Sequence, residues 1–401
     1  MTSKLSEASR KDPKFRAGMI FYEFQLGKPI FDSYKNFCHK MGSNIMNYPE
    51  FEFWFQRFSA GNFDLDYDRS KDQKYRTITD LPVHIFGKIC ENLGEDYQKY
   101  YWFTLRHVCK SFRDIVDSWN PPKFERIEIE CHEESMFLKF DWCIRVFYIK
   151  KSENSSEIKV RDSAEVACSG DYRDLAVDDL MSVLASPEGY KLEKLIISGN
   201  IDKRFAQKLS DKFENLAANV DVDTVELIPA EDMDPIAVNK VLNLFQSIEE
   251  IDIKANDNQS VTPKYLKSII DKINGIEALK ERVVNIDSSL NYRDHRELLI
   301  PRGLRIPKMR LDYFYGPGKK VQIVQILLES PHLEYCHFDA SWGRTGDFEG
   351  DLMQFGAEKD PKNPNMFKYR IPNSHEFFEI KIKGNVRYIN GIYIERKSNS
   401  A

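Results

Sequence analysis

Leu192-Glu-Lys-Leu195-Ile-Ile197-Ser-Gly-Asn200 sets apolar side chains two apart behind a helical segment and then breaks at a glycine. Alternation of this kind reads as a strand with one buried face. The apolar-x-apolar pair returns at Val225/Leu227, Ile251/Ile253, Val284/Ile286, Met309/Leu311 and Leu333/Tyr335, at intervals of roughly 24–33 residues. Between the pairs, Phe205–Leu216, Asp234–Phe245, Thr262–Ile273 and Val321–Leu328 have helical spacing, and Thr262-Pro263 is a cap followed by proline in the first turn. A strand–helix unit of this size cannot bury a face alone, so the units must stack. Stacking predicts an α/β layer with a curved, largely parallel sheet. A closed α/β domain with irregular crossovers is the alternative.

Period-two segments also flank this region. Phe124–Glu130, Met136–Phe140 and Ile144–Ile149 follow Pro121-Pro122 and read as a small sheet, with Lys151–Glu157 as a polar loop. Towards the end, Phe377–Lys383 and Val386–Glu395 read as an antiparallel cap, with Asn390-Gly391 as a two-residue hairpin signal.

Ahead of the sheet, Ile78 to Asp117 carries two apolar stripes. Ile85, Ile89 and Leu93, with Phe86, form one, behind a start in which Thr79 or Asp80 can cap and Pro82 sits in the first turn. Leu105, Val108, Cys109, Phe112, Ile115 and Val116 form the other. A helical piece this short cannot bury so much apolar surface alone, so a partner must complete it. Leu81-Pro82 at the start and Val108-Cys109-Lys110-Ser111-Phe112-Arg113 at the end resemble an F-box. The resemblance implies docking to a Skp-type adaptor and, through it, a cullin–RING ubiquitin ligase. It implies adaptor contact by Leu81, Pro82, Ile85, Ile89, Leu105, Val108, Cys109 and Phe112. The aromatic-rich middle, Asp96 to Phe103, departs from the short leucine-rich second helix of many F-boxes. The plainer alternative is a three-helix packing unit that faces only its own chain.

Residues 16–58 read as three helices broken at Gly27-Lys28-Pro29 and between Gly42 and Pro49. Trp54-Phe-Gln-Arg57-Phe-Ser-Ala-Gly61-Asn-Phe63 and Tyr22-Glu-Phe24 before Gly27-Lys28 are similar to the helix-turn-helix of mariner-type transposases. That resemblance implies a third helix suited to the DNA major groove. Here the third helix brings Glu50 and Glu52 against a single Arg57, and carboxylates repel phosphate. The fold is expected without the DNA binding, leaving an interaction or packing unit; a nucleic-acid-binding regulator is the alternative.

The repeat region resembles a leucine-rich repeat, with Leu192-x-x-Leu195-x-Ile197-x-x-Asn200 as its best instance. Leu184–Gly199 is also similar to the FTH or DUF-type domain that follows the F-box in a large nematode family, which implies a target-recruiting role. Alternate strand residues would then line one open face: Lys194 and Ile196, Glu226, Asp252 and Lys254, and Arg310. Mixed charge with apolar spots suits a protein target better than a polyanion. Solvated strand residues with the ligand held on loops are the equal alternative. The fold class expected is α+β, with helical units (helix-turn-helix-like, F-box) ahead of a leucine-rich-repeat-like α/β domain with a curved, largely parallel sheet. The expected domains are 11–65, a linker 66–77, the F-box 78–120 and the α/β domain 121–401, with an FTH-like core at about 174–341.

Composition narrows the function classes. The chain has 401 residues, a net charge of −5 and no concentrated basic run, so nucleic acid is an unexpected partner. Its seven cysteines are scattered without a C-x-x-C pair, which speaks against a disulfide framework or zinc ribbon. The polar start lacks a signal-peptide core and no run is long and apolar enough to span a bilayer, which predicts an intracellular protein with no membrane partner. His332, Cys336 and His337 share one strand edge and do not make a tetrahedral site, and Gly316-Pro-Gly-Lys-Lys320 lacks the residues of a phosphate loop. No nucleophile, metal-protease or paired-carboxylate motif stands out. The sequence therefore predicts no enzyme, no cofactor and no metal, but a non-catalytic receptor that brings a target to a ligase. A binding module outside degradation is the alternative.

Overall fold

Strand β1 (Arg126–Cys131) alternates half-buried and buried positions along its whole length, and so does β2 (Ser135–Phe140). That pattern is what a sheet with one face on a core produces. The computed structural model of the chain describes residues 6–42, 44–68, 83–161, 165–186, 188–255, 262–291, 298–312, 320–339, 345–384 and 389–398. The chain divides into two compact units, Met1–Ile78 and Thr79–Ala401.

In the first unit, helices Pro13–Gln25, Ile30–Met41 and Tyr48–Ser59 follow a short helix, Glu7–Lys11. Asp12 caps the first of the three through the amide of Phe15, and Asn47 caps the last through the amide of Glu50 at 2.9 Å. Each cap is followed by proline in the first turn, where a missing N–H does no harm. Ala17, Ile20, Phe37, Met41, Phe51 and Phe58 make the centre of the core. Glu23 is fully buried and survives there because Lys40 donates to it at 2.5 Å.

The second unit continues through β3 (Ile144–Ser152), β4 (Ser155–Val160) and β5 (Val166–Ser169). The repeat region supplies β6 (Tyr190–Gly199), β7 (Val220–Pro229), β8 (Ser247–Ile253), β9 (Val284–Ile286), β10 (Lys308–Leu311) and β11 (Tyr335–Asp339). Beyond it come β12 (Glu358–Lys359), β13 (Met366–Arg370), β14 (Glu376–Gly384) and β15 (Ile389–Ser398). All described strands join one sheet in the order β12-β13-β14-β15-β11-β10-β9-β8-β7-β6-β1-β2-β3-β4-β5. Neighbours from β1 through β6 to β11 pair in parallel, and both flanks are antiparallel.

Five of the recurring pairs (Leu195/Ile197, Val225/Leu227, Ile251/Ile253, Val284/Ile286, Met309/Leu311) fall in β6 to β10 and enter a single continuous core. Leu333 lies just ahead of β11 in that same core. The crossover helices Lys203–Leu216, Pro235–Leu242, Pro263–Asn274 and Lys320–Leu328 close it with residues such as Phe205, Val238, Ile269 and Val324. Asp202, Asp234 and Thr262 cap three of them.

Three local expectations are corrected. The first strands are not a separate small sheet, because β1 pairs along its length with β6, Ile127 opposite Leu195. Lys151–Glu157 is not a loop: β3 and β4 turn tightly at Glu153-Asn154, and Ser156 and Ile158 point inwards beneath polar neighbours. Asn390-Gly391 is not the hairpin turn but lies inside β15: Gly391 pairs on both edges, opposite Lys383 and Asp339, and Asn390 sits at the register shift of the β14–β15 ladder. Two ladders outweigh a local turn preference there. A methyl group at Gly391 would stand 3.1 Å from His337 Nε2, so the glycine serves close packing. The Gly316–Lys319 segment lies outside the described residues.

Candidate functional site

Helix Val83–Leu93 turns Phe86 and Cys90 inwards and leaves Ile85 and Ile89 outwards, 38% and 43% exposed. Gly94, with φ +77, ends it in a conformation glycine adopts without strain. Helix Glu95–Arg106 follows, its acidic first turn matched to the helix dipole. The backbone then breaks at His107–Cys109 before helix Lys110–Asp117, so the second apolar stripe is divided between two helices and the break that joins them. Phe86 and Phe112 stack at 3.7 Å between ring centroids and, with Cys90, form the centre of the module.

These positions sort the residues predicted to dock an adaptor. Ile85, Ile89 and Val108 (41% exposed) are open to solvent. Leu105 and Cys109 are half-buried against the module's core. Phe112 is buried and packs the module internally, a correction to its expected outward role, because the helix break rotates it onto Phe86. Leu81 and Pro82 lie outside the described residues.

The aromatic-rich middle has two faces. Trp102 and Phe103 enter the core of the sheet, Phe103 stacking on Phe140 at 4.4 Å and Trp102 Nε1 donating to Ser182 at 3.0 Å. Tyr97, Tyr100 and Tyr101 are exposed. Below them lies a polar cluster that sequence reasoning missed. Asp179, on helix Tyr172–Leu184, is buried and accepts from Arg106, from His107 Nε2 at 2.6 Å and from the Tyr148 hydroxyl at 2.6 Å. Arg106 also donates to Asp117 at 2.7 Å. Burial acts to raise the Asp179 carboxyl, but His107, Arg106 and Tyr148 outweigh it and hold it below the usual aspartate range. Burial, then Asp179, pushes the Tyr148 hydroxyl well up. The cluster ties the helical module to the sheet at fixed geometry. Its only signal in the sequence is an aspartate at a position where the helix repeat calls for an apolar residue.

On the polar face of the parallel strands the expected target-contacting residues do come together, but largely with one another. Glu226 accepts from Lys194 at 2.6 Å and from Lys254 at 3.0 Å. Burial acts to raise its carboxyl, and the two lysine hydrogen bonds bring it below the usual glutamate range. Asn285 donates to Asp252 at 2.7 Å, and Arg310 reaches Glu250 at 3.0 Å. Ile196 is corrected: it is 1% exposed, in register between Glu128 and Glu226. A groove of about 350 Å³ remains where Asp252, Lys254, Arg310 and His337 meet. Cys336 faces the core while His337 stacks flat on Tyr393 at 4.2 Å, so the two point to opposite sides. Among the described residues no helix is long and apolar enough to cross a membrane.

Comparison with known proteins finds two likenesses. Residues 15–62 match the family model for the HTH domain in Mos1 transposase. Over 112 residues the chain is 40% identical to F-box A protein 224 of Caenorhabditis elegans, covering 28% of this chain and 28% of that protein's length. Two solved structures, the Mos1 strand transfer complex and a pre-cleavage Mos1 transpososome, align at 12% and 11% identity. They cover 59% and 65% of this chain and 85% and 90% of theirs, each with a TM-score of 0.14, too low to carry a fold argument. The chain thus combines a segment similar to a transposase HTH domain with similarity to a nematode F-box protein.

Proposed function

We propose that this chain is a non-catalytic substrate-recognition subunit of a Skp–cullin–F-box E3 ubiquitin ligase, recruiting a protein target for ubiquitination inside the cell. The observation that carries the reading is the exposure of the apolar side chains Ile85, Ile89 and Val108 on a module whose own core is already filled by Phe86, Cys90 and Phe112. Similarity to a protein named for its F-box supports it. Residues 78–120 would dock a Skp-type adaptor through Leu81, Pro82, Ile85, Ile89, Leu105, Val108 and Cys109, and the adaptor would bind a cullin. Residues 121–401, a leucine-rich-repeat-like layer with an FTH-like core, would hold the target. The buried Asp179 cluster supports this division of labour, because a fixed angle between adaptor and target is what proximity catalysis needs.

Residues 11–65, joined through a linker at 66–77, would serve as a protein-interaction unit. Arg57 of the third helix lies over the Tyr67 ring at 3.5 Å, engaged within its own unit, which supports a role other than phosphate contact. The test is co-purification: Leu81→Ala with Pro82→Ala should abolish recovery of the Skp-type adaptor and leave the sheet domain folded. Undiminished recovery would remove the docking assignment.

A further inference from the structure

The outer face of β2 to β4 carries a groove of about 660 Å³ that none of the surfaces above uses. Its floor is aromatic: Tyr100 from helix Glu95–Arg106, Trp142 from the turn between β2 and β3, and Phe147 from β3. All three are exposed, Trp142 to 73%, and Phe147 packs beside Phe137 at 4.8 Å. Leaving rings of this size in water forgoes a burial energy that a bound segment would recover. Among the described residues the rim carries Arg145, Lys159 and Arg161, with Glu165 3.9 Å from Lys159 and Glu157 also acting on that lysine, so Arg145 and Arg161 supply the excess positive charge. Lys159 is the register partner of Phe147, so cation and ring lie side by side. Among the described residues the Arg145 side chain meets no acid within salt-bridge distance.

We infer that this groove docks an acidic peptide segment bearing an apolar anchor residue. The anchor seats between Trp142 and Phe147, and carboxylates on either side of it pair with Lys159 and with Arg145, whose planar guanidinium group matches carboxylate geometry. Charge complementarity selects this occupant. A single strand of nucleic acid, the other ligand of aromatic and basic surfaces, needs free ring faces for its bases. Here Arg161 already covers Tyr100 at 3.2 Å, and Arg126 stands over Trp142 at 4.6 Å. That the segment belongs to a degradation target rests on the receptor reading above; the binding itself does not.

Fluorescence anisotropy on the full chain tests it. The probe is a short labelled peptide with a central Trp-Leu pair between paired glutamates, run beside its lysine-flanked counterpart and a labelled oligothymidine. The acidic peptide is expected to bind, and Arg145→Glu and Trp142→Ala, both surface changes, each to weaken it about tenfold or more. Adaptor co-purification should be unchanged in both variants. Equal binding of the lysine peptide, tighter binding of the oligothymidine, unaltered affinity in the variants, or no binding of the acidic peptide would each overturn the assignment. Loss of adaptor recovery with intact peptide binding would sink the receptor reading alone, and the reverse would sink the groove alone.

Discussion

His107 Nε2 donates to Asp179 Oδ2 at 2.6 Å across 72 residues of chain, with both side chains buried. His107 belongs to the break between the second and third helices of the N-terminal module of this unit, and Asp179 to the helix that packs on β2 and β3. With Arg106 and Tyr148 on the same carboxylate, one buried charge joins the helical module to the sheet beside the Trp102 and Phe103 contacts.

Asp179→Ala leaves a buried arginine without its main partner and is expected to cost about 3–5 kcal/mol. Urea denaturation at neutral pH measures this. A loss below ~1 kcal/mol would mean that the cluster is ornamental.

The same group predicts an acid dependence. Its folded pKa is depressed, so its stabilisation is fully present above the unfolded aspartate value near ~3.9 and is lost as pH falls through the lower folded value. Urea midpoints followed from neutral pH into this acid range should therefore fall for the parent chain. The Asp179→Asn variant should start lower and show a shallower fall.

Within the helical module, packing can be separated from the proposed docking. Phe112→Ala removes half of the Phe86 stack and should destabilise by about 3–5 kcal/mol. Ile85→Lys with Ile89→Lys should change stability by no more than about 0.5 kcal/mol per site, because both side chains already meet water. Only the isoleucine pair should lose the adaptor while remaining folded, as read by co-purification beside a thermal melt.

Gly199 ends β6 at φ +75, and a methyl group there would overlap the Cys131 carbonyl oxygen of the neighbouring strand. Gly199→Ala must move that backbone and should destabilise by at least about 1–3 kcal/mol. An unchanged thermal midpoint would contradict the β1–β6 pairing.

A gel shift with the full chain and duplex DNA at moderate salt should show no complex. The third helix of the N-terminal unit, Tyr48–Ser59, carries Glu50 and Glu52 beside an Arg57 already engaged with Tyr67. A salt-sensitive shift abolished by Arg57→Ala would restore a nucleic-acid role to this unit.

Element type and order were legible from local patterns. Apolar pairs at period two gave the repeat strands, helical spacing gave the crossovers, and proline after a capping residue marked helix starts such as Pro263. Those signals arise within one turn of helix or a few residues of strand, so a linear reading captures them. It failed where distant partners decide. Asn390-Gly391 reads as a turn until strands on both sides claim Gly391, and Lys151–Glu157 reads as a loop until β3 and β4 pair along most of it.

The sequence by itself determined a chain of stacking strand–helix units behind an apolar helical module, because side-chain period and composition are local quantities. Only the tertiary structure decided which apolar residues stay open. Ile85 and Phe112 are equally hydrophobic in the sequence, yet one faces water and the other fills a core. The same holds for charge: Glu226 and Asp179 became fixed nodes only when lysines, an arginine and a histidine from other elements converged on them. Burial and partner choice depend on contacts between segments far apart in the chain, and no window of sequence contains both sides of such a contact.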